Sequence, residues 1–297
     1  MQNTSRGMQP GIADDAEITP CLPVTMPLLG TSIWKVHTCL QRPLGPVYNA
    51  GMKLAPDLSG HAALITGGGR RLGRAFAEAM VRRGASMAVH FGTSAKGAQE
   101  IVDLAESLDV KAVALQADLA DAGQAADLVE RAAEALGKLD LLVNNASIFE
   151  PLSLKDTTHQ DWERHMAINL TAPFMISQAF AKQLGDHPGA IVNLLDWRAL
   201  RPGADHFPYT ISKAGLAALT RSLAVALAPN VRVNGLALGA VLPPEHAKHD
   251  PDAVLRGVPL PRWATLEETV HALLFLLAGP DFITGEILHF DGGRQLI

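Results

Sequence analysis

The chain reads as a doubly wound α/β protein: one parallel sheet of seven strands with helices on both faces, forming a single domain. Three observations predict it. From Pro56 onward, short runs of Val, Ile, Leu and Ala alternate with segments of helical period. Those runs lack the polar alternation of a half-exposed sheet, as strands covered on both faces do. A cluster of glycines joins the first run to the first helical segment.

Taken in order, Ala62–Thr66 reads as the first strand and Leu72–Arg83 as the first helix. Ser86–Phe91 and Ala95–Leu108 follow as strand and helix, then Lys111–Leu115 and Gly123–Leu136, and Leu139–Val143 as the fourth strand. A long helix around Asp161–Leu184 precedes the strand Ala190–Leu195. Helix Tyr209–Ala228, strand Val231–Leu238, helix Leu266–Leu277 and strand Ile287–Phe290 complete the pattern. No internal repeat is present.

Residues 1–55 differ from the rest. They contain six of the 19 prolines, both cysteines (Cys21 and Cys39) and four of the eight methionines, without sustained periodicity. Prolines at that density interrupt helices and remove ladder donors. Asp14, Asp15 and Glu17 ahead of the apolar patch, with Pro23 and Pro27 inside it, argue against a secretory or mitochondrial leader. The expectation is a disordered or loosely docked extension before one folded domain at 56–297, with translation starting at Met52 as a sharper form of it.

The formal charge of −5, from 25 basic and 30 acidic side chains, argues against a nucleic-acid binder. No apolar run approaches the ~18 residues of a membrane span. Two cysteines exclude a disulfide-built scaffold. A cytoplasmic protein is expected. His246 and His249 lie near Asp250 and Asp252, but no metal-ligand spacing of the H-E-x-x-H or paired-cysteine type occurs, so no metal is expected.

The turn Thr66-Gly67-Gly68-Gly69-Arg70-Arg71-Leu72-Gly73 sits between strand and helix. Glycines there allow close backbone approach, and the helix N-terminus offers free N–H groups to a pyrophosphate, as in Rossmann-type dinucleotide sites. Tyr209 and Lys213, four apart on one helix face, form a second constellation. A cation near a phenol favours the phenolate, so a lowered Tyr209 pKa and a proton-donor role are expected.

Together these residues resemble the short-chain dehydrogenase/reductase superfamily. Asn144-Asn145-Ala146, the Tyr209/Lys213 pair and Asp291-Gly292-Gly293 stand in the family's order, and the likeness covers residues 57–297. One departure is Arg71, where a glycine is usual. The resemblance implies that Gly67, Arg70, Arg71, Leu72, Gly73, His90, Phe91, Thr93, Ser94, Asp118, Leu119, Asn145, Ala146, Ser147, Tyr209, Lys213 and Gly239 hold the cofactor. Asp118 would meet the adenine, Asn145-Ala146 would wall ribose and adenine, and Asn169 would kink its helix and anchor a relay water. NAD-specific members place an acid at the end of the second strand; here it is replaced by His90-Phe91-Gly92-Thr93-Ser94. With Arg70 and Arg71 as guanidinium forks for a 2′-phosphate, NADPH is the expected cofactor. The resemblance also implies a homotetramer, with the apolar end Leu296-Ile297 against a partner.

Asp196 is the informative departure. Carbonyl-reducing members carry a serine thirteen residues before the tyrosine, and no serine or threonine occurs between Ala190 and Phe207 to replace it. A carboxylate beside a developing oxyanion raises the barrier. A substrate that presents N–H groups and protonatable ring nitrogens suits it better, with Asp196 bonding it or delivering a proton. Ser147-Ile148-Phe149, Arg71, Asp196 and the His90–Ser94 loop resemble the pteridine reductases of the superfamily. There Phe149 would stack on a flat pterin, and Arg71, Ser147, Asp196 and Tyr209 would complete the substrate site. Leu238-Gly239, where Pro-Gly is usual, and the Ala240–Leu260 loop depart from that pattern. Asp196, Tyr209, Lys213 and Asn169 are the expected catalytic set of an NADPH-dependent pteridine reductase. The alternatives are a carbonyl reductase of 3-oxoacyl type and a non-catalytic NADPH-binding sensor.

Overall fold

A computed structural model describes residues 56–243 and 250–297. The extension at 1–55, with Cys21, Cys39 and Met52, and the histidines His246 and His249 lie outside the described residues.

Seven strands form one parallel sheet: β1 (Ala62–Ile65), β2 (Ser86–Phe91), β3 (Ala112–Gln116), β4 (Leu141–Asn144), β5 (Gly189–Asp196), β6 (Val231–Leu238) and β7 (Ile287–Phe290). The order across the sheet is β3-β2-β1-β4-β5-β6-β7. The helices are α1 (Arg71–Val81), α2 (Ala95–Ser107), α3 (Ala122–Leu136), α4 (His159–Met166), α5 (Ala172–Leu184), α6 (Phe207–Ala226) and α7 (Leu266–Ala278). β1 and β4 are buried at every position, as strands covered on both faces must be. One apolar layer joins Phe76, Met80 and Ile101 to Leu273 and Leu277; the other joins Leu128, Ile176 and Phe180 to Leu223.

Local chemistry sets the helix starts. The Asp121 carboxylate accepts from the N–H groups of Gly123 and Gln124 at the head of α3. Thr158 with Asp161, and Thr265 with Glu268, form reciprocal capping boxes on α4 and α7. The expected long helix is interrupted: Ala167–Thr171 form a π-turn between α4 and α5. This turn carries Asn169, which is fully buried. Such bulges occur often at functional positions.

The order of the strands reverses between β1 and β4, so a crevice opens beyond the carboxyl ends of these two. No described helix is long and apolar enough to cross a membrane.

Candidate active site

The crevice is a cleft of about 730 Å3. Its walls come from the segments that follow four neighbouring strands: Gly67 and Arg70–Leu72, then His90 and Gly92–Ser94, then Gln116–Leu119, then Asn145–Ile148. Thr66 joins the first of these to the last. Its buried hydroxyl accepts from the N–H groups of Asn145 and Ala146, both at 3.0 Å, and the Asn145 amide donates back to the carbonyls of Thr66 and Gly67.

Glycine is required at two points of the turn. Gly67 has φ +65°, and a Cβ on Gly73 would stand 2.2 Å from the Gly67 carbonyl oxygen. Arg71 departs from this rule at a cost. Its φ is +49°, the left-handed region natural to the glycine it replaces, which costs a side-chain-bearing residue about 1–2 kcal/mol. Its guanidinium donates to the Pro243 carbonyl at 3.1 Å.

Most of the expected cofactor residues line this cleft: Gly67, Arg70, Arg71, Leu72, His90, Thr93, Ser94, Asp118, Leu119, Asn145, Ala146 and Ser147. Gln116, Gln124, Ile148 and Ile168 also line it and had no distinguishing sequence signal. Some roles need correction. His90 offers no donor to a ligand: its Nδ1 accepts from the Gly67 N–H and its Nε2–H donates to the Ala117 carbonyl, both at 3.1 Å. Burial lowers its pKa and keeps the ring neutral, as that pairing demands. Phe91 packs into the apolar layer under α1 and α2. Gly73 closes the turn without lining the cleft, and Gly239 packs against Asp291, where a Cβ would come within 2.6 Å of the Asp291 Cα.

The cleft fits a phosphorylated nicotinamide dinucleotide. It has a glycine cradle at a helix N-terminus, two arginines at its rim, and among its lining residues only one carboxylate, Asp118. The family model described as enoyl-(acyl carrier protein) reductase matches residues 68–295. The chain belongs to the short-chain dehydrogenase/reductase superfamily. The 3-oxoacyl-[acyl-carrier-protein] reductase FabG of Aquifex aeolicus is 32% identical, covering 80% of this chain and 98% of its own. Among solved structures, FolM alternative dihydrofolate reductase 1 of Brucella canis, complexed with NADP, superposes with a TM-score of 0.76 at 33% identity, covering 81% of this chain and 96% of that one. A short-chain dehydrogenase of Burkholderia cenocepacia, also with NADP, gives 0.75 at 36% identity, covering 80% and 99%. The protein is an NADPH-dependent oxidoreductase of this superfamily.

Beside the cleft lies a charged corner at the end of β5. Tyr209, 6% exposed at the start of α6, donates its hydroxyl proton to Asp196 Oδ2 at 3.1 Å. Lys213, one turn later, is equally buried and donates to the Leu194 carbonyl at 2.7 Å. The expected lowering of the Tyr209 pKa is overturned. Burial and the Asp196 charge hold it well above the usual phenol value, and Lys213 Nζ stands 5.9 Å from the ring centroid. Burial also lowers Lys213 to about 8, against the opposing charge of Asp196. Tyr209 is therefore a firmly protonated phenol in this state. Asp196 accepts on both oxygens, its Oδ1 taking the Arg198 N–H at 2.8 Å and its Oδ2 the phenol proton.

Sequence reasoning missed the partner of Asp196. The Arg198 guanidinium stands 3.7 Å from Asp196 Oδ1 and 2.8 Å from Asp205 Oδ2. Burial works against the charge on Asp205, yet Arg198 and His206 outweigh it and hold the carboxyl at about 2. His206 stacks on Phe149, with ring centres 4.0 Å apart and planes 8° from parallel, while Tyr209 meets the ring edge. Phe149 remains 53% exposed. His206 thus occupies the face of Phe149 where a planar ligand was expected to stack, and the Arg198 guanidinium lies 5.7 Å from the ring centre.

Asn169 is a positioning residue. Its amide oxygen accepts from Ser147 Oγ and the Ile148 N–H, and its nitrogen donates to the Ile148 carbonyl and Ser212 Oγ. It clamps the loop that carries Phe149 to the helix that carries Tyr209. A second cavity, of about 330 Å3, lies between the 254–264 segment and the turn after β7, and Arg294 lines it.

Proposed function

We propose that the protein reduces dihydropteridines, transferring hydride from NADPH to a ring C=N carbon. The carrying observation is Asp196: a carboxylate hydrogen-bonded to the proton-donating phenol and matched to a cation, Arg198, in the position where carbonyl reductases need a hydroxyl. A carboxylate there suits the amidine-like N–H edge of a pterin and opposes a carbonyl oxygen that gains charge. The likeness to a FolM alternative dihydrofolate reductase supports the same reading.

NADPH, when bound, supplies the hydride. Gly67, Asn145 and Ala146 would hold it along the turn, with Arg70 on the 2′-phosphate and Thr93, Ser94 and Asp118 around the adenosine end. Phe149, Arg71 and Ser147 would border the heterocycle. Asp196 would accept from the pteridine N–H groups, and Tyr209 would give its proton to the nitrogen of the reduced bond. The Arg198 charge, which already acts on the phenol, and Lys213 one turn along α6 would stabilise the phenolate left behind.

Relatives named as 3-oxoacyl-[acyl-carrier-protein] reductases keep a carbonyl substrate as the second reading. One substitution separates the two. Asp196→Ser should lower kcat/KM for dihydrobiopterin at least about tenfold and spare or raise the reduction of a 3-oxoacyl thioester or an activated ketone. Loss of ketone reduction with pteridine turnover intact, or no pteridine turnover by the unsubstituted protein, overturns the proposal.

A further inference from the structure

Three arginines gather beside the charged corner at the end of β5. Arg198 and Arg294 lie on the Trp197 ring, with guanidinium carbons 4.6 and 4.2 Å from its centre. Arg201 reaches the same turn, donating to the Arg294 carbonyl at 3.3 Å. The charges of Arg198, Asp196, Asp205 and Arg201 all act on the Arg294 guanidinium, so the five groups share one neighbourhood. Three cations face two carboxylates, and both carboxylates are directed at Arg198. Asp291, the nearby acid of the C-terminal turn, accepts from the N–H groups of Gly293 and Gln295. The positive excess therefore rests on Arg201 and Arg294.

Arg294 also donates to the Val254 carbonyl and so ties the C-terminal turn to the 254–264 segment, yet that bond leaves the gathering of three guanidinium groups unexplained. Like-charged guanidinium groups drawn together repel, and burial with the Arg198 charge lowers the Arg294 pKa from its usual value. The Nε–H groups of Arg198 and Arg294 are buried without an acceptor. Arg198 also lies 5.7 Å from the centre of the Phe149 ring, which ties the cluster to the ring proposed to border the substrate. Guanidinium forks match carboxylates with paired N–H donors.

We infer that Arg201 and Arg294, backed by Trp197 and Arg198, form a subsite for the carboxylates of an acidic tail on the substrate. The inference rests on the pteridine reading and narrows it: the favoured substrate is a dihydrofolate, whose glutamate end is anionic, over a dihydropterin with an uncharged side chain. The heterocycle lies beside Phe149 and Asp196, and the tail runs over Trp197 toward the turn after β7.

The test is a comparison of initial rates with NADPH, using dihydrofolate and dihydrobiopterin on the full chain and on Arg201→Ala and Arg201→Lys. Arg201→Ala should raise the KM for dihydrofolate about fivefold with kcat unchanged, because a partly exposed charge-assisted contact is lost. The KM for dihydrobiopterin should stay within error. Arg201→Lys should restore most of the loss, since it keeps the charge without the fork. Raising sodium chloride from 20 to about 300 mM should weaken dihydrofolate alone. An unchanged dihydrofolate KM, or equal changes for both substrates, overturns the tail subsite while leaving pteridine reduction standing. If the unsubstituted protein turns over neither compound, both proposals fall.

Discussion

The cofactor cleft and the reacting corner lie side by side but are built by different means. The cleft is held by neutral groups: Thr66, His90 and Asn145 each spend their hydrogen-bonding capacity on backbone atoms of neighbouring segments. Its shape follows from backbone demands at a few positions. The corner is held by ionisable groups, most of them largely withdrawn from water: Asp196, Arg198, Asp205, His206, Tyr209 and Lys213 hold one another or nearby carbonyls. A geometry of neutral groups tolerates changes of pH and is intolerant of added atoms. A geometry of charges has the opposite sensitivities.

Four experiments probe that contrast, from the largest expected effect downward. Tyr209→Phe removes the corner's proton donor and should lower kcat by about 10²–10⁴-fold. NADPH affinity, followed by quenching of protein fluorescence, should be unchanged; a comparable loss of affinity would merge the two regions into one. Gly73→Ala acts on the other side. Its Cβ would meet the Gly67 carbonyl oxygen at 2.2 Å and the Asn145 amide nitrogen at 2.4 Å, so NADPH binding should weaken more than about tenfold. Overpacking should also cost about 1–3 kcal/mol of stability, measured by urea unfolding.

Lys213→Met tests the charge of the corner through pH. The folded-state pKa of about 8 lies below the ordinary lysine value of 10.5, so the folded protein releases this proton first. The burial cost of the cation is full below pH 8 and is relieved as pH rises toward 10.5. Across that window the unsubstituted protein should gain about 3 kcal/mol relative to Lys213→Met. Equal pH slopes would show that Lys213 is solvated in solution. The smallest effect belongs to the rim of the cleft. Arg70→Ala should raise the Kd for NADPH severalfold while leaving NADH binding alone, and equal losses for both would move the 2′-phosphate away from Arg70.

The same division governs what was legible in the sequence. β2, β6 and β7 start and stop at the expected residues, because short apolar stretches bounded by turn or helix signals mark their own ends. The turn was legible because glycines mark backbone positions directly. The corner was legible only in its anchors. Asp196, Tyr209 and Lys213 stand at recognisable spacings, but Arg198, Asp205 and His206 belong to the segment between β5 and α6, which has no period to read. His206 adopts φ +53° and lays its ring on Phe149, a backbone state and a contact that no sequence period marks. The direction of the Tyr209 pKa failed for a related reason. Spacing within a helix shows Lys213, whereas burial and a carboxylate at the end of a strand are tertiary facts.

One imidazole ties these observations to the assembly of the sheet. His90, on β2, spans from the N–H after β1 to the carbonyl after β3. The phosphate turn therefore takes its final form only after three separate strands have aligned. Among the described residues β3 is an edge strand of the sheet. A dinucleotide that binds only the aligned form stabilises it by mass action, so cofactor binding should hold this edge as well as the turn.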